Sequence, residues 1–173
     1  KKQRQMKPVN RAARLMYLNR TCFNGLYRVN SKGEFNVPMG RYKNPLICDP
    51  AGLRAASAAL QHGTFSRGCF EAAVSGAQAG DLVYFDPPYV PLNTTSSFTS
   101  YTRENFTLDD QKRLAETFRE LAARGVKVSL SNSDTPIVRE LYKGFEQHVI
   151  MAPRAINSKA DRRQKVSELL VVS

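Results

Sequence analysis

A chain of 173 residues, 42% of them hydrophobic, can bury a sizeable core in one domain, or in one domain carrying an inserted module. Its formal charge of +11 is concentrated, since residues 1–48 hold eleven Lys or Arg against one acid, Glu34, while the remainder carries fifteen bases and fourteen acids. A polyanion is the natural partner of such a segment, and a membrane is not: there is no apolar run of bilayer length, no basic amphipathic helix with a broad apolar face and no signal peptide.

Cys22, Cys48 and Cys69 show no paired metal spacing and His62 and His148 lie far apart, which argues against a structural zinc and for a reduced, cytoplasmic compartment. From the N-terminus, Ala12, Leu15, Met16 and Leu18 fall on helical spacing with Arg11 and Arg14 between them and predict a helix over 8–18. Residues 19–45 break that period with Gly25, Gly33, Pro38 and Gly40 and interleave Phe23, Tyr27, Phe35 and Tyr42 with bases. Ser31-Lys32-Gly33-Glu34 predicts a hairpin turn in which Gly33 supplies a positive φ. A basic hairpin bearing aromatics and asparagines suits a DNA groove, where Arg reads guanine edges and Asn or Gln reads adenine edges. The plainer reading makes Phe23, Leu26 and above all Phe35 the hairpin's own small core, with Arg41 and Lys43 as solvated charges.

Asp49-Pro50 predicts a helix start and 52–60 its Ala-rich body; 64–70 is read as a strand. Residues 81–86 predict a buried strand, and the Ser- and Thr-rich 93–101 a loop beside its exit. Thr107-Leu108-Asp109-Asp110 has the form of a capping box, after which Leu114, Phe118, Leu121 and Ala122 mark one helical face ending at Gly125. Further strands are predicted from Val126, Val128 and Leu130, over 145–151 and over 168–172, with a helix from Thr135-Pro136 to Lys143. Residues 154–165 are a charge run, solvated first and in contact with phosphate second. This alternation predicts an α/β fold with parallel pairing in the middle of its sheet.

Asp86-Pro87-Pro88-Tyr89 stands where the strand at 81–86 emerges, at the carboxyl end where open α/β sheets bind ligands. One carboxylate, one rigid turn and one aromatic face meet there. Methyl transfer to an exocyclic amine of a nucleobase needs that trio, because the lone pair of such a nitrogen is delocalised into the ring and acceptors must hold both N–H groups. Asp86 can accept one hydrogen bond and the Pro87 carbonyl, aimed by Pro88, the other. Tyr89 offers a face to a base taken out of the stack. The competing reading is a plain Asp-Pro turn.

Together with Leu18-Asn19-Arg20, Phe23-Asn24-Gly25-Leu26-Tyr27-Arg28, Gly33-Glu34-Phe35-Asn36-Val37-Pro38 and Gly40-Arg41-Tyr42, the tetrapeptide, with Phe98-Thr99, Tyr101 and Ser131-Asn132, resembles the Dam-type (class α, D12) DNA adenine-N6 methyltransferases over nearly the whole chain. The resemblance implies a class I S-adenosylmethionine-dependent methyltransferase (Rossmann-like) fold with an inserted helical and hairpin target-recognition module, here 1–62, before the second half of the catalytic domain, 63–173. It implies that Asp86 and the Pro87 carbonyl bind the target amine and that Tyr89 stacks on a flipped adenine. Arg28 would contact guanine, Phe23 and Asn24 the space the base leaves, and Leu26 and Pro38 base edges or methyl groups. Asn30, Asn36, Arg41 and Tyr42 would contact bases or phosphates, and Phe70 and Asp86 would border S-adenosylmethionine. It further implies duplex DNA with a GATC-like site as partner, and no metal.

The glycine-rich Phe-x-Gly-x-Gly loop of the family, and the acid that holds the cofactor ribose, are missing from this sequence, which therefore reads as a C-terminal portion. On that reading residues 82–85 form an uncovered apolar edge open to association with another chain, and the 173 residues alone bind cofactor weakly and methylate poorly. Two alternatives stay open at this point: cytosine-N4 methylation by the same geometry, and a non-catalytic DNA-binding remnant or part of a split enzyme.

Overall fold

Pro8, with its fixed φ and no N–H to leave unpaired, occupies the first turn of α1 (Pro8–Thr21). The computed structural model describes residues 6–91, 106–153 and 165–173. The expected loop at 93–101 with Phe98, Thr99 and Tyr101, and all but the last residue of the charge run at 154–165, lie outside them. The chain divides into two units, Lys1–Phe65 and Ser66–Ser173.

In the first unit α1 runs three residues beyond its predicted end and closes where the Cys22 N–H meets the Leu18 carbonyl at 2.8 Å. A 3-10 turn, Phe23–Gly25, follows, with Asn24 at φ +52° and Gly25 at +62°. The hairpin exists as two separate antiparallel bridges, Cys22 with Met39 and Val29 with Phe35, and not as continuous strands. Pro38 lacks an N–H to extend the first bridge, and its carbonyl accepts from Phe23 N. Between Asn30 and Glu34 the chain reverses as predicted, Gly33 standing at φ +75°. Gly40 has a different need: a Cβ there would meet the Tyr42 ring and lie 2.9 Å from the Cys22 carbonyl. Helix α2 (Pro50–Leu60) starts at Asp49, whose carboxylate accepts from Gly52 N at 3.0 Å.

Residues 64–70 form no strand; Phe70 instead begins the short helix α3 (Phe70–Val74). Gly68 interrupts the stretch, while Glu71, Ala72 and Ala73 favour a helical first turn. β1 (Leu82–Phe85), β2 (Lys127–Ser133), β3 (Glu146–Pro153) and β4 (Lys165–Val172) form one sheet in the order β1-β2-β4-β3. Only β1 and β2 are parallel, so parallel pairing lies at one edge of the described sheet and not in its middle. The cause is β4, which returns antiparallel between β2 and β3, a move that sequence order alone does not signal.

Helix α4 (Leu108–Ala123) joins the parallel pair, capped as predicted by reciprocal bonds between Thr107 and Asp110. Its face of Leu114, Phe118 and Leu121 packs with Val128 and Leu130 of β2, Leu169 and Val171 of β4, and Val138 and Tyr142 from α5 (Pro136–Leu141) and its exit. Two-residue alternation along β2 points Val128, Leu130 and Asn132 into that core. β1 pairs on one side only among the described strands, and leaves Leu82 (72%) and Tyr84 (56%) exposed.

Candidate functional site

Phe85 is the last residue of β1 and is buried in the core; the next residue, Asp86, is exposed. The chain leaves the sheet at that step, anchored behind and open ahead. Among the described residues no hydrogen bond engages the Asp86 carboxylate or the Pro87 carbonyl. The following three peptides are held tightly. Pro88 O accepts from Gln111 Nε2 at 2.9 Å, Val90 N donates to Asn132 Oδ1 at 3.0 Å, and Val90 O accepts from Ser133 Oγ at 2.6 Å.

Tyr89 stands between these fixed points, half-buried, with its hydroxyl 3.5 Å from Glu168 Oε2. Burial first, and the Glu168 charge second, push its phenol up to about 12, so it stays neutral at ordinary pH. Beside it Tyr84 and Ser131 share a 2.6 Å hydrogen bond between hydroxyls.

Phe70 packs on Phe106 with ring centroids 6.1 Å apart, and the Arg113 guanidinium lies 5.5 Å from its ring centre. Arg113 also bonds Glu71 and Asp110. The Glu71 carboxyl is held below its ordinary value, by the Cys69 thiol first and by Arg113 after it. Phe70 is therefore a half-buried aromatic in a charged frame rather than a sheet residue. Among the described residues no group of three or more His, Cys, Asp or Glu could hold a metal ion, and no helix is long and apolar enough to cross a membrane.

The other predicted residues all belong to the first unit. Phe23, Asn24, Arg28, Asn36, Pro38, Arg41 and Tyr42 are exposed; Leu26 and Asn30 are partly buried. Arg28 donates from Nε to Asn36 Oδ1 and from a terminal nitrogen to the Asn36 carbonyl, both at 2.9 Å, so the two form one unit. Asn30 works locally: its Oδ1 accepts from Lys32 N and Glu34 N, and its Nδ2 donates to Glu34 at 3.0 Å. Phe35 is half-buried against Tyr27, centroids 5.9 Å apart, as the core reading of that residue expected. Cys22, which carried no role in the sequence, is buried and donates its thiol to the Leu26 carbonyl at 3.1 Å.

Gln111 and Ser133 also escaped sequence reasoning, and Asn132 entered it without a role. One signal was present, since Asn132 continues the inward alternation of Val128 and Leu130, where a polar residue must find partners.

The family model described as D12 class N6 adenine-specific DNA methyltransferase matches residues 1–156. The chain is 52% identical over 171 residues to a type II methyltransferase of Lactococcus lactis subsp. cremoris, covering 98% of this chain and 60% of that protein. It is 50% identical over 167 residues to a type II methyltransferase of Methanocaldococcus jannaschii, covering 95% and 58%. Against a DNA adenine methylase of Escherichia coli it is 41% identical over 165 residues, covering 95% and 59%. The chain thus spans about three fifths of the length of the curated relatives it matches.

Proposed function

The chain belongs to the D12 class N6 adenine-specific DNA methyltransferases, and from that membership we propose that its protein methylates the N6 amine of an adenine flipped out of duplex DNA at a GATC-like site, in the cytoplasm. The observation that carries the reading is the exposed Asp86 carboxylate and the Pro87 carbonyl, neither engaged by a hydrogen bond among the described residues, at the end of β1, next to a neutral, half-buried Tyr89.

An adenine amine has two N–H groups and a lone pair spread into its ring. Asp86 accepts from one N–H and the Pro87 carbonyl from the other, which turns the nitrogen toward tetrahedral geometry and concentrates the lone pair on the side away from both acceptors. Tyr89 lies against the flipped base and, being neutral, adds no charge repulsion toward it. S-adenosylmethionine, the methyl donor of such enzymes, supplies an electrophilic methyl group on positively charged sulfur. Phe70 and Asp86 suit part of its site, an aromatic surface and a carboxylate able to face a cation, although Arg113 already occupies one approach to the Phe70 ring. Catalysis here is positioning, and no covalent enzyme intermediate is called for.

Duplex DNA is gripped by the first unit. Arg28, held in direction by Asn36, meets a guanine edge, and Phe23, Asn24, Leu26 and Pro38 border the opened stack. Arg41 and Tyr42 face the phosphates. The test is Asp86→Ala in the product of the complete gene, assayed with labelled methyl donor and by mass spectrometry of digested DNA. Methyl transfer to N6 is lost while duplex affinity stays within about threefold of wild type, less than 1 kcal/mol; an equal loss of DNA binding overturns the role of Asp86.

A further inference from the structure

We infer that Gln111, Asn132 and Ser133 are positioning residues that clamp the peptides on both sides of Tyr89 and so aim the Asp86-Pro87 acceptors. The inference rests on the reading of the tetrapeptide given above. All three are buried polar side chains, at 3%, 0% and 4% exposure, in a core otherwise built mainly of Leu, Val and Phe. An interior position demands that every polar atom be answered, and here each answer falls in line.

The direction of every bond follows from a single fixed donor. Val90 N can only donate, so the Asn132 atom 3.0 Å from it is oxygen, which also accepts from Ser133 N at 2.8 Å. Asn132 therefore turns its amino group to Gln111, whose facing atom, 3.1 Å away, must be oxygen. Gln111 is left presenting its own amino group to Pro88 O, a group that can only accept. Ser133 Oγ closes the circuit on Val90 O. Helix α4, strand β2 and the tetrapeptide are thus joined by one relay with no reversible member, and a swap of either amide would place oxygen against oxygen.

Its placement gives the relay its function. It grips Pro88 O and Val90 N, in the two peptides flanking Tyr89, and Val90 O in the next one, and stops short of Asp86 and the Pro87 carbonyl. The acceptors are left for a substrate while the residue after them is held immobile. Phe85, buried in the core, fixes the other end. The acceptors therefore sit on a two-residue bridge clamped at both ends, which sets their direction before any ligand arrives.

Gln111→Glu separates this from a plain packing role. It is isosteric and keeps the oxygen facing Asn132, but, assayed at alkaline pH where the new carboxyl is ionised, it puts an oxygen without a proton opposite Pro88 O. In the product of the complete gene we expect kcat for methyl transfer to fall by about a hundredfold, as for a small misplacement of reacting groups, with KM for duplex DNA changed less than about threefold. Amide exchange at Val90 accelerates in parallel. A folded Gln111→Glu protein with wild-type kcat and unchanged Val90 exchange, or one that loses only thermal stability, overturns the clamp. Should that variant not fold, Ser133→Ala removes the 2.6 Å bond to Val90 O together with a long 3.5 Å contact to Asn132 Oδ1; a lowered kcat at unchanged KM supports the clamp and an unchanged kcat refutes it. If the wild type itself transfers no methyl group, the functional reading has failed, and Val90 exchange in the variants still decides the clamp.

Discussion

Arg28 carries a guanidinium already committed on one flank, since Asn36 takes both Nε and one terminal nitrogen. Holding a long side chain in one direction removes the entropy it would otherwise lose on meeting a base edge. Arg28→Ala is therefore expected to cost about 1–3 kcal/mol at one base position and to relax discrimination there. Asn36→Ala should do part of the same, leaving binding to random duplex nearly unchanged; binding isotherms on cognate and single-substituted duplexes check both. Two tyrosines make a contrasting pair. Tyr89 remains protonated until about pH 12, so the neutral ring is present at every pH an assay would use, and its removal by Tyr89→Phe deletes a late step from the ultraviolet titration of the tyrosines. Burial also raises the Tyr142 phenol, but its oxygen is buried with no hydrogen-bond partner among the described residues. Tyr142→Phe removes an unanswered polar group and nothing else, so urea unfolding should show stability unchanged or increased by about 1 kcal/mol.

At the scale of elements, the junction of α4 with the loop before it depends on Thr107 and Asp110. Thr107→Ala removes a cap for the Asp110 N–H and a donor to the Asp110 carboxylate, at a cost of about 1 kcal/mol near neutral pH. The bonds from Thr107 lower the Asp110 carboxyl below its ordinary value. A carboxyl lowered by folding contributes fully above its unfolded value and loses that contribution as pH falls through the folded one, so the gap between variant and wild type narrows in acid. This cap was legible in the sequence because its signal is local, four consecutive residues, and so were the starts of α2 and α5. Local signals failed where the partner was distant. Nothing near residues 64–70 says that Phe70 packs on Phe106 and beneath Arg113, and nothing in residues 165–172 says that β4 inserts between β2 and β3. The tetrapeptide was visible for what it offers; its supports, Gln111 and Ser133, were not, because a polar residue on a helix or at a strand end looks solvated until the core around it is known.

Across the whole chain, charge and burial are unevenly shared in opposite directions. In the unit Lys1–Phe65 only Cys22 is buried among the described residues, while Ser66–Ser173 holds every other buried side chain. The same first unit carries almost all of the positive excess. Helix α2 has eleven residues and buries none of them, a length at which an isolated helix is marginal in water. Hydrogen exchange of the free protein should therefore be slowest in α4, β2 and β4, where Leu114, Phe118, Leu130 and Val171 sit, and fast through α1, the hairpin bridges and α2. Addition of duplex DNA should slow residues 21–40 and leave β2 and β4 as they were, because a ligand protects the segment whose opening it opposes. Affinity that comes from neutralising phosphates falls with salt, and removing a single phosphate-bound cation flattens the slope of log K against log salt by about one. Arg41→Ala is expected to flatten the slope by that amount with specificity retained, where Arg28→Ala changes specificity first. Equal protection of both units in the free protein, with no further slowing on DNA, would mean that residues 21–40 do not form the surface that holds the duplex.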